Sequence, residues 1–376
     1  MTLAKKQSTE KMPFQSDLRL IAFYLPQYHP IPENDEWWGN GFTDWQNVTK
    51  AKPLFRGHQQ PHVPGELGYY DLRDAGVRAA QASLAREHGI FGFCYYHYWF
   101  GGKQLLERPF QEVLSSGSPD FPFCLCWANE NWTRAWDGRD HQVIMKQVYS
   151  HDDDRAHVRA LLPAFQDRRY IRIHGKPLFL IYRAEHLPDP GRTAEIWREE
   201  ARRGGVGEIF LARVESFVGG LDPRSIGFDA AVQFAPEWHR AGKLNREKNP
   251  YRHFAKIGMF EDAYRKHRIV RYKTLAEFMV AQQFPDYPFF KCVTPGFDNS
   301  ARRAQGAMIF VNAAPEIYEN WLARVARSTC ERYAAEERIV FVNAWNEWAE
   351  GNHLEPDQRL GRAFLEATDR ALKKAP

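Results

Sequence analysis

Eight short apolar runs, set apart by helical patterns, constrain this chain more than any other feature of its sequence. The runs are Leu18–Tyr24, Ile90–Tyr96, Phe121–Trp127, Leu178–Tyr182, Glu208–Val214, Phe228–Phe234, Phe289–Val293 and Ile339–Trp345. Several are near-continuous hydrophobics, the composition of parallel strands covered on both faces. Between them, Asp71–His88 opens on a capping Asp, spaces Leu72, Val77, Ala80 and Leu84 helically and stops at Gly89. Asp152–Phe165 carries three acids in its first turn, which suits the positive end of a helix dipole. Ala194–Arg203 ends at Gly204 and Gly205; Pro315–Arg332 starts on Pro and repeats Ile317, Trp321 and Val325; Leu360–Leu372 closes the chain. Strand–helix alternation of this kind predicts an α/β chain folded as a single (β/α)8 barrel, a TIM barrel, with long βα loops. The competing doubly wound sheet lacks a glycine-rich turn after a strand. The predicted barrel domain is 18–376, after a flexible segment 1–17. Two connections, Pro26–Tyr70 and roughly Ala235–Tyr287, exceed plain βα loops, and loops of such length carry function or form lids.

Composition excludes several classes. The net charge of the 376 residues is only +4 and its signs are mixed, so no nucleic-acid stripe is present. The odd set Cys94, Cys124, Cys126, Cys292 and Cys330 is no disulfide framework. Cys124 and Cys126 share one strand face and match neither redox nor zinc spacing; buried, hydrophobe-like cysteines are expected. Residues 1–17 hold Lys5, Lys6 and Lys11 but no apolar signal core, and no apolar stretch is long enough to span a bilayer. A cytoplasmic protein without membrane insertion is the expectation. There is no G-x-S-x-G elbow and no Walker loop. His58 and His62 stand at H-x3-H spacing, but Pro61 and Pro64 argue against a helix and no third ligand is visible, so neither metal nor cofactor is expected.

In such a barrel the site lies at the C-terminal ends of the strands. Polar and aromatic residues gather just there. Tyr24 and His29 follow run one, His97 and Tyr98 run two, and Trp127, Asn129, Glu130, Trp132, Arg134, Trp136 and Asp137 run three. Arg183 follows run four, Gln233 run six and Asp298, with Asn299 and Arg302, run seven. Trp345, Asn346, Glu347, Trp348, Glu350 and Glu355 follow run eight, and Trp45 sits in the first long loop. Many of the 12 Trp keep polar company. A sugar ring has an apolar C–H face for an aromatic ring and hydroxyls for amides and acids, so an oligosaccharide or polysaccharide partner is indicated. Glycoside chemistry commonly uses two carboxyl groups, and Glu347 and Glu350 are the candidate pair. The plainer alternative is a solvated acidic loop, or ion pairs to Arg134 or Arg183.

Longer motifs carry a resemblance. Tyr24-Leu-Pro-Gln-Tyr-His29, Trp38-Gly-Asn-Gly-Phe-Thr-Asp-Trp45, Ala51-Lys-Pro-Leu-Phe55, Leu67-Gly-Tyr-Tyr-Asp71, Tyr95-Tyr-His-Tyr-Trp99, Trp127-Ala-Asn-Glu-Asn-Trp132 with Trp136-Asp-Gly138, and Asn343-Ala-Trp-Asn-Glu-Trp-Ala-Glu-Gly351 resemble the WbsX-like family over roughly residues 18–370. Members are labelled glycosyltransferases of bacterial surface-polysaccharide synthesis, and their barrel is similar to that of glycoside hydrolase family 99, the endo-α-1,2-mannosidases and mannanases. The final motif is similar to that family's Glu-Trp-His-Glu-Gly and its further Glu. The resemblance implies that Glu347 is the base and Glu350 the general acid of a retaining hydrolase. Such an enzyme acts on an α-linked mannose- or rhamnose-like bacterial polysaccharide through a 1,2-anhydro sugar. Ala349 replaces the hydrolases' His, which leaves the sugar open. Three alternatives stand beside this reading: a glycosyltransferase of O-antigen or capsule synthesis, a pairing in which Glu130 protonates while Glu347 attacks directly, and a non-catalytic glycan-binding barrel.

Overall fold

The structure, a computed structural model, describes residues 17–134, 139–238, 240, 244, 251–259 and 261–375. The expected flexible segment therefore lies, but for residue 17, outside the described residues. Eight parallel strands close on themselves. They are β1 Arg19–Tyr24, β2 Gly92–Phe100, β3 Phe123–Trp127, β4 Lys176–Ile181, β5 Phe210–Glu215, β6 Ala230–Gln233, β7 Phe289–Val293 and β8 Ile339–Val342. Each strand pairs with its neighbours in chain order, and β1 pairs with both β2 (Ile21 opposite Gly92) and β8 (Arg19 opposite Ile339), which leaves no open edge. The predicted (β/α)8 barrel is what the chain forms.

The strand period of two divides the aromatic residues into layers. Phe23 of β1 packs 5.9 Å from Phe234, just past β6, and only the barrel lumen brings those strands together. Phe341 and Tyr96 join Phe23 there, at 5.4 and 5.6 Å. Tyr24, one residue on, faces outward and donates from its hydroxyl to Gln81 Oε1 at 2.7 Å.

The outer helices are α1 Ala75–Glu87, α2 Arg108–Ser116, α3 His151–Gln166, α4 Pro190–Arg203, α5 Tyr272–Val280, α6 Pro315–Arg332 and α7 Ala363–Lys373. Caps account for the shifts from the predicted starts. Asp74 rather than Asp71 caps α1, accepting from Gly76 N, while Asp71 turns back onto Arg73. Ser150 caps α3 and Asp189 caps α4. Helices α2 and α5 lie outside the predicted helical segments, and β5 is followed by a 3-10 turn, Pro223–Ile226, rather than a helix.

The additions cluster at the C-terminal mouth. The first long loop holds two short helices, Pro32–Trp38 and Trp45–Lys50. A hairpin follows β3 (Trp132–Arg134 with Arg139–Met145), and a second follows β8 (Asn346–Glu347 with Asn352–His353). The long β6–β7 connection sends strand Arg268–Arg271 to pair in parallel with Met308–Val311. All five cysteines are buried free thiols. No helix among the described residues is long and apolar enough to cross a membrane.

Candidate active site

A cleft of ≈ 600 Å³ opens at this mouth. Tyr96 and Tyr98 of β2, Glu130 and Trp132 after β3, Tyr182 after β4, Phe217 after β5, and Phe234 and Trp238 after β6 form much of its wall. Arg268 before β7, Asn299, Arg302 and Arg303 after it, and Glu347 and Glu350 after β8 add to it.

The two glutamates share one hairpin because the chain makes a single 3-10 turn, Trp348–Glu350, between them. Gly351 ends the turn in a left-handed conformation, φ 53°. A Cβ there would lie 3.0 Å from Asp298 Cβ and 3.3 Å from its backbone, so glycine fits for two reasons. Tyr28 fixes the hairpin from below: its hydroxyl donates to Asn346 O at 2.7 Å and accepts from Trp348 N at 3.1 Å. The Asn346 side chain bridges to Leu25, accepting from its N at 2.7 Å and donating to its O at 3.0 Å.

Arg302 organises the charge. Its Nη1 donates to Glu350 Oε1 at 2.9 Å and its Nη2 to Glu347 Oε2 at 3.3 Å. Nη2 also pairs with Asp44 Oδ2, and Nε lies 3.4 Å from Asp44 Oδ1. One guanidinium thus faces three carboxyl groups. Asp44 is 0% exposed and Glu347 6%. Burial pushes Glu347 up to about 8; Arg302 opposes the rise, and Glu350 and Asp44 add to it. Burial raises Glu350 as well, again against Arg302 and with Asp44. Burial works to discharge Arg302, but Asp44, Glu347 and Glu350 together hold its pKa well above the ordinary value. The cluster can therefore keep a proton on the glutamate pair at neutral pH, the state an acid–base couple needs.

Among the residues singled out from sequence, Tyr98, Glu130, Trp132, Asn299, Arg302, Glu347 and Glu350 meet in the cleft. Arg183 stands behind it, paired with Glu130 and with Glu185 at 2.7 Å, its guanidinium 4.2 Å over the Phe217 ring. Arg134 lies 5.4 Å over Trp38. Trp136 and Asp137 fall outside the described residues.

The others are placed elsewhere, and strand alternation explains several. Tyr96 and Tyr98 face the cleft, so His97 points away, its Nε2 2.9 Å from His157 Nε2. Trp127 sits in the same outer layer against His157 and Trp197, at 4.6 and 5.9 Å. Tyr24 reaches α1, and Trp345 packs on Phe93 at 5.1 Å. Trp45 and Trp348 lie 5.8 Å apart beneath the hairpin. Glu355 is buried with them, accepting from Trp348 Nε1 (2.6 Å), Tyr70 hydroxyl (2.8 Å) and Gln81 Nε2 (2.6 Å); burial outweighs these donors and raises it to about 7. Asn129 holds the Arg183 backbone, Gln233 donates to Glu237 at 2.8 Å, and Asp298 caps Ser300 and meets His58. His29 is buried, which lowers its pKa to about 4, and is no part of the cleft wall. These residues do not line the cleft; they carry those that do. Trp127→Ala should consequently act as a core truncation, costing about 3–5 kcal/mol of stability. A thermal midpoint unchanged from wild type would contradict that placement.

The cleft also contains Tyr96, Tyr182, Trp238 and Arg302, which stand at the strand ends where the sequence places the site, and Phe217, which the sequence did not single out. Asp44 lay hidden in the Thr-Asp-Trp45 segment, and its partner is 258 positions away.

The family model described as Glycosyltransferase WbsX matches residues 20–368. The chain belongs to this family. By that description the WbsX family is one of carbohydrate-active enzymes. Two WxcX proteins of Xanthomonas campestris pv. campestris are similar. One is 45% identical over 368 residues, covering 98% of this chain and 51% of the relative. The other is 46% identical over 357 residues, covering 95% and 50%. The chain thus spans about half the length of the curated relatives it matches. Among solved structures, a GH99 endo-α-mannosidase from Bacteroides thetaiotaomicron superposes with TM-score 0.55 at 14% identity, covering 96% of this chain and 97% of that one. A glycoside hydrolase-like protein gives TM-score 0.56 at 14% identity, covering 98% and 97%. At that identity the likeness is one of fold.

Proposed function

We propose that this WbsX-family barrel is a retaining glycoside hydrolase, acting on an α-linked mannose- or rhamnose-like bacterial polysaccharide. The observation that carries the reading is the pair Glu347 and Glu350 on one hairpin, bound to one partly buried arginine, in a cleft walled by Trp132, Tyr98, Trp238 and Phe217. Glu347 removes the proton of the sugar's own 2-hydroxyl. That oxygen closes on the anomeric carbon as the glycosidic bond breaks, and Glu350 protonates the departing oxygen. Water then opens the 1,2-anhydro ring at the anomeric carbon, giving its proton to Glu350 while Glu347 returns its own to O2. The nucleophile is intramolecular, so little orientational entropy is lost at the transition state. A carboxylate whose pKa is raised is also a stronger base toward a hydroxyl.

A specific observation favours a second reading, a glycosyltransferase of O-antigen or capsule synthesis. Arg268 and Arg303 line the cleft on the β7 side, across the eight-stranded ring from the Glu130 and Trp132 wall after β3. Guanidinium groups there suit the phosphates of an activated donor.

The test is a panel of α-mannans, rhamnans and bacterial O-polysaccharides, read by mass spectrometry for new reducing ends, with Glu350→Gln in parallel. Fragments made by the wild type and lost in the variant are the expected result. An inactive wild type that binds a nucleotide-sugar saturably in calorimetry would replace the hydrolase reading with the transferase.

A further inference from the structure

Beside the β8 hairpin, two histidines and an aspartate converge from the first long loop, the hairpin's second strand and the turn that follows it. His62, His353 and Asp357 each offer one ligand atom, all within 4.8 Å of one another. His62 Nδ1 lies 2.8 Å from His353 Nε2. His353 Nδ1 lies 2.9 Å from the carbonyl oxygen of Glu355, which only accepts. Nδ1 therefore carries the ring proton, and Nε2 presents a bare lone pair toward His62. Trp348 stacks on the His353 ring, centroids 3.7 Å apart and planes at 15°, and holds its orientation. Asp357 Oδ1 accepts from the backbone N of Arg359 (2.9 Å) and Leu360 (2.6 Å), which leaves Oδ2 for a ligand.

The other histidine of the H-x3-H pair is already committed. His58 Nδ1 accepts from Leu54 N at 3.0 Å, and its Nε2 lies 2.6 Å from Asp298 Oδ2. Only His62 is placed to ligate, and the partners the sequence could not supply come from the far end of the chain.

We propose that His62, His353 and Asp357 form a binding site for one divalent transition-metal ion, zinc by preference, with water completing its coordination. Two imidazoles and a carboxylate are a zinc donor set. The carbonyl on His353 Nδ1 is the usual outer partner of a metal-bound imidazole. Zinc at about 2.0–2.2 Å from each atom would set them about 3.4 Å apart. The two nitrogens must therefore part by about half an ångström, and the carboxylate must close by up to about 1.4 Å. A cavity of ≈ 40 Å³ borders His62, with Gln59 and Gly351 in its wall.

The ion would act as a staple. His353 pairs with Asn346 across the hairpin that carries Glu347. Asp357 bridges to Pro64. One ion would tie the hairpin, the loop from β1 and the segment before α7 into a unit.

The test is zinc chloride titrated by calorimetry into chelator-stripped protein, with melting followed in parallel. His62→Gln and Asp357→Asn serve as variants, since the amide of the second keeps an oxygen for the two backbone donors. The expected result is one zinc per chain with Kd below about 1 µM, at least tenfold weaker in both variants. Zinc should also raise the wild-type midpoint by about 3 °C or more, and the variants' by less. Cobalt(II) at the same site should show the visible bands of a nitrogen-ligated ion. No saturable binding by about 100 µM zinc, or equal affinity in wild type and both variants, would overturn the site and leave an ordinary N–H···N bond between the rings.

Discussion

Replacing Arg302 with methionine is expected to lower kcat/KM about 100- to 1,000-fold and to destabilise the fold by about 3–5 kcal/mol. The stability effect comes from Asp44, which is wholly buried and would lose its cationic partner. Removing one member of a buried pair leaves a desolvated charge, a larger cost than the pair's net worth. The activity effect comes from the glutamates. Arg302 is the largest opposing influence on the raised pKa of both Glu347 and Glu350, so without it both rise further and the pair holds its protons to higher pH. The pH optimum should move to the alkaline side. The stability profile follows the same sign. An unfolded glutamate ionises near about 4.3, but folded Glu347 does so near about 8, so between those values the native state binds more protons. Wild-type stability therefore declines through that interval and then levels. In Arg302→Met the decline should continue past pH 8. Arg302→Lys should fall between, because a point charge cannot bridge three carboxyl groups. Melting midpoints from pH 5 to 9 and kcat/KM over the same range check both arms. A methionine variant with wild-type rate and wild-type melting would remove Arg302 from any role in setting the site's charge.

The barrel was legible because strands buried on both faces read as continuous apolar runs, and all eight runs became barrel strands. Helix α2 was not, since the chain first extends β2 to Phe100 and folds back through Lys103–Leu105 before it starts. The short pairing of Arg268–Arg271 with Met308–Val311 lies inside a connection whose partner strand is distant in sequence, and nothing local announces it. The site divides along the same line. Glu347 and Glu350 stand three residues apart and can be read from spacing. Asp44 and Arg302 meet only after the barrel closes. Aromatic residues next to polar ones proved a poor guide to position, because a strand sends neighbours to opposite faces: Tyr98 lines the cleft while His97 and Trp127 support it from behind. His62 repeats the lesson, since its partners His353 and Asp357 arrive from nearly 300 residues away.

The roles proposed for the two glutamates separate with the leaving group. Glu350→Gln should lower kcat/KM on a natural glycan about 1,000- to 10,000-fold, the upper part of the range for a lost acid–base group. The same variant should keep most of its kcat/KM on a glycoside whose leaving group departs without a proton, such as an activated phenol or fluoride, because that ratio reports the first step and not the later water attack that Glu350 also serves. Glu347→Gln should be severely impaired on both, because the 2-hydroxyl must lose its proton whatever leaves. The pH profiles add a second signature. On the glycan, activity falls on the alkaline side as the pair gives up its last proton. On the activated substrate no donor is needed, so that limb should flatten while the acidic limb, set by the base, remains. The two glutamates share Arg302 and lie on one hairpin, so each substitution changes the other's environment. For that reason the decisive quantity is the ratio of losses on the two substrates, not either loss alone. Equal losses for Glu350→Gln on both substrates would place the acid elsewhere, with Glu130 across the cleft as the next residue to replace. Rescue of Glu347→Gln instead of Glu350→Gln would exchange the two roles, an outcome the deeper burial of Glu347 and its pKa of about 8 make worth measuring directly.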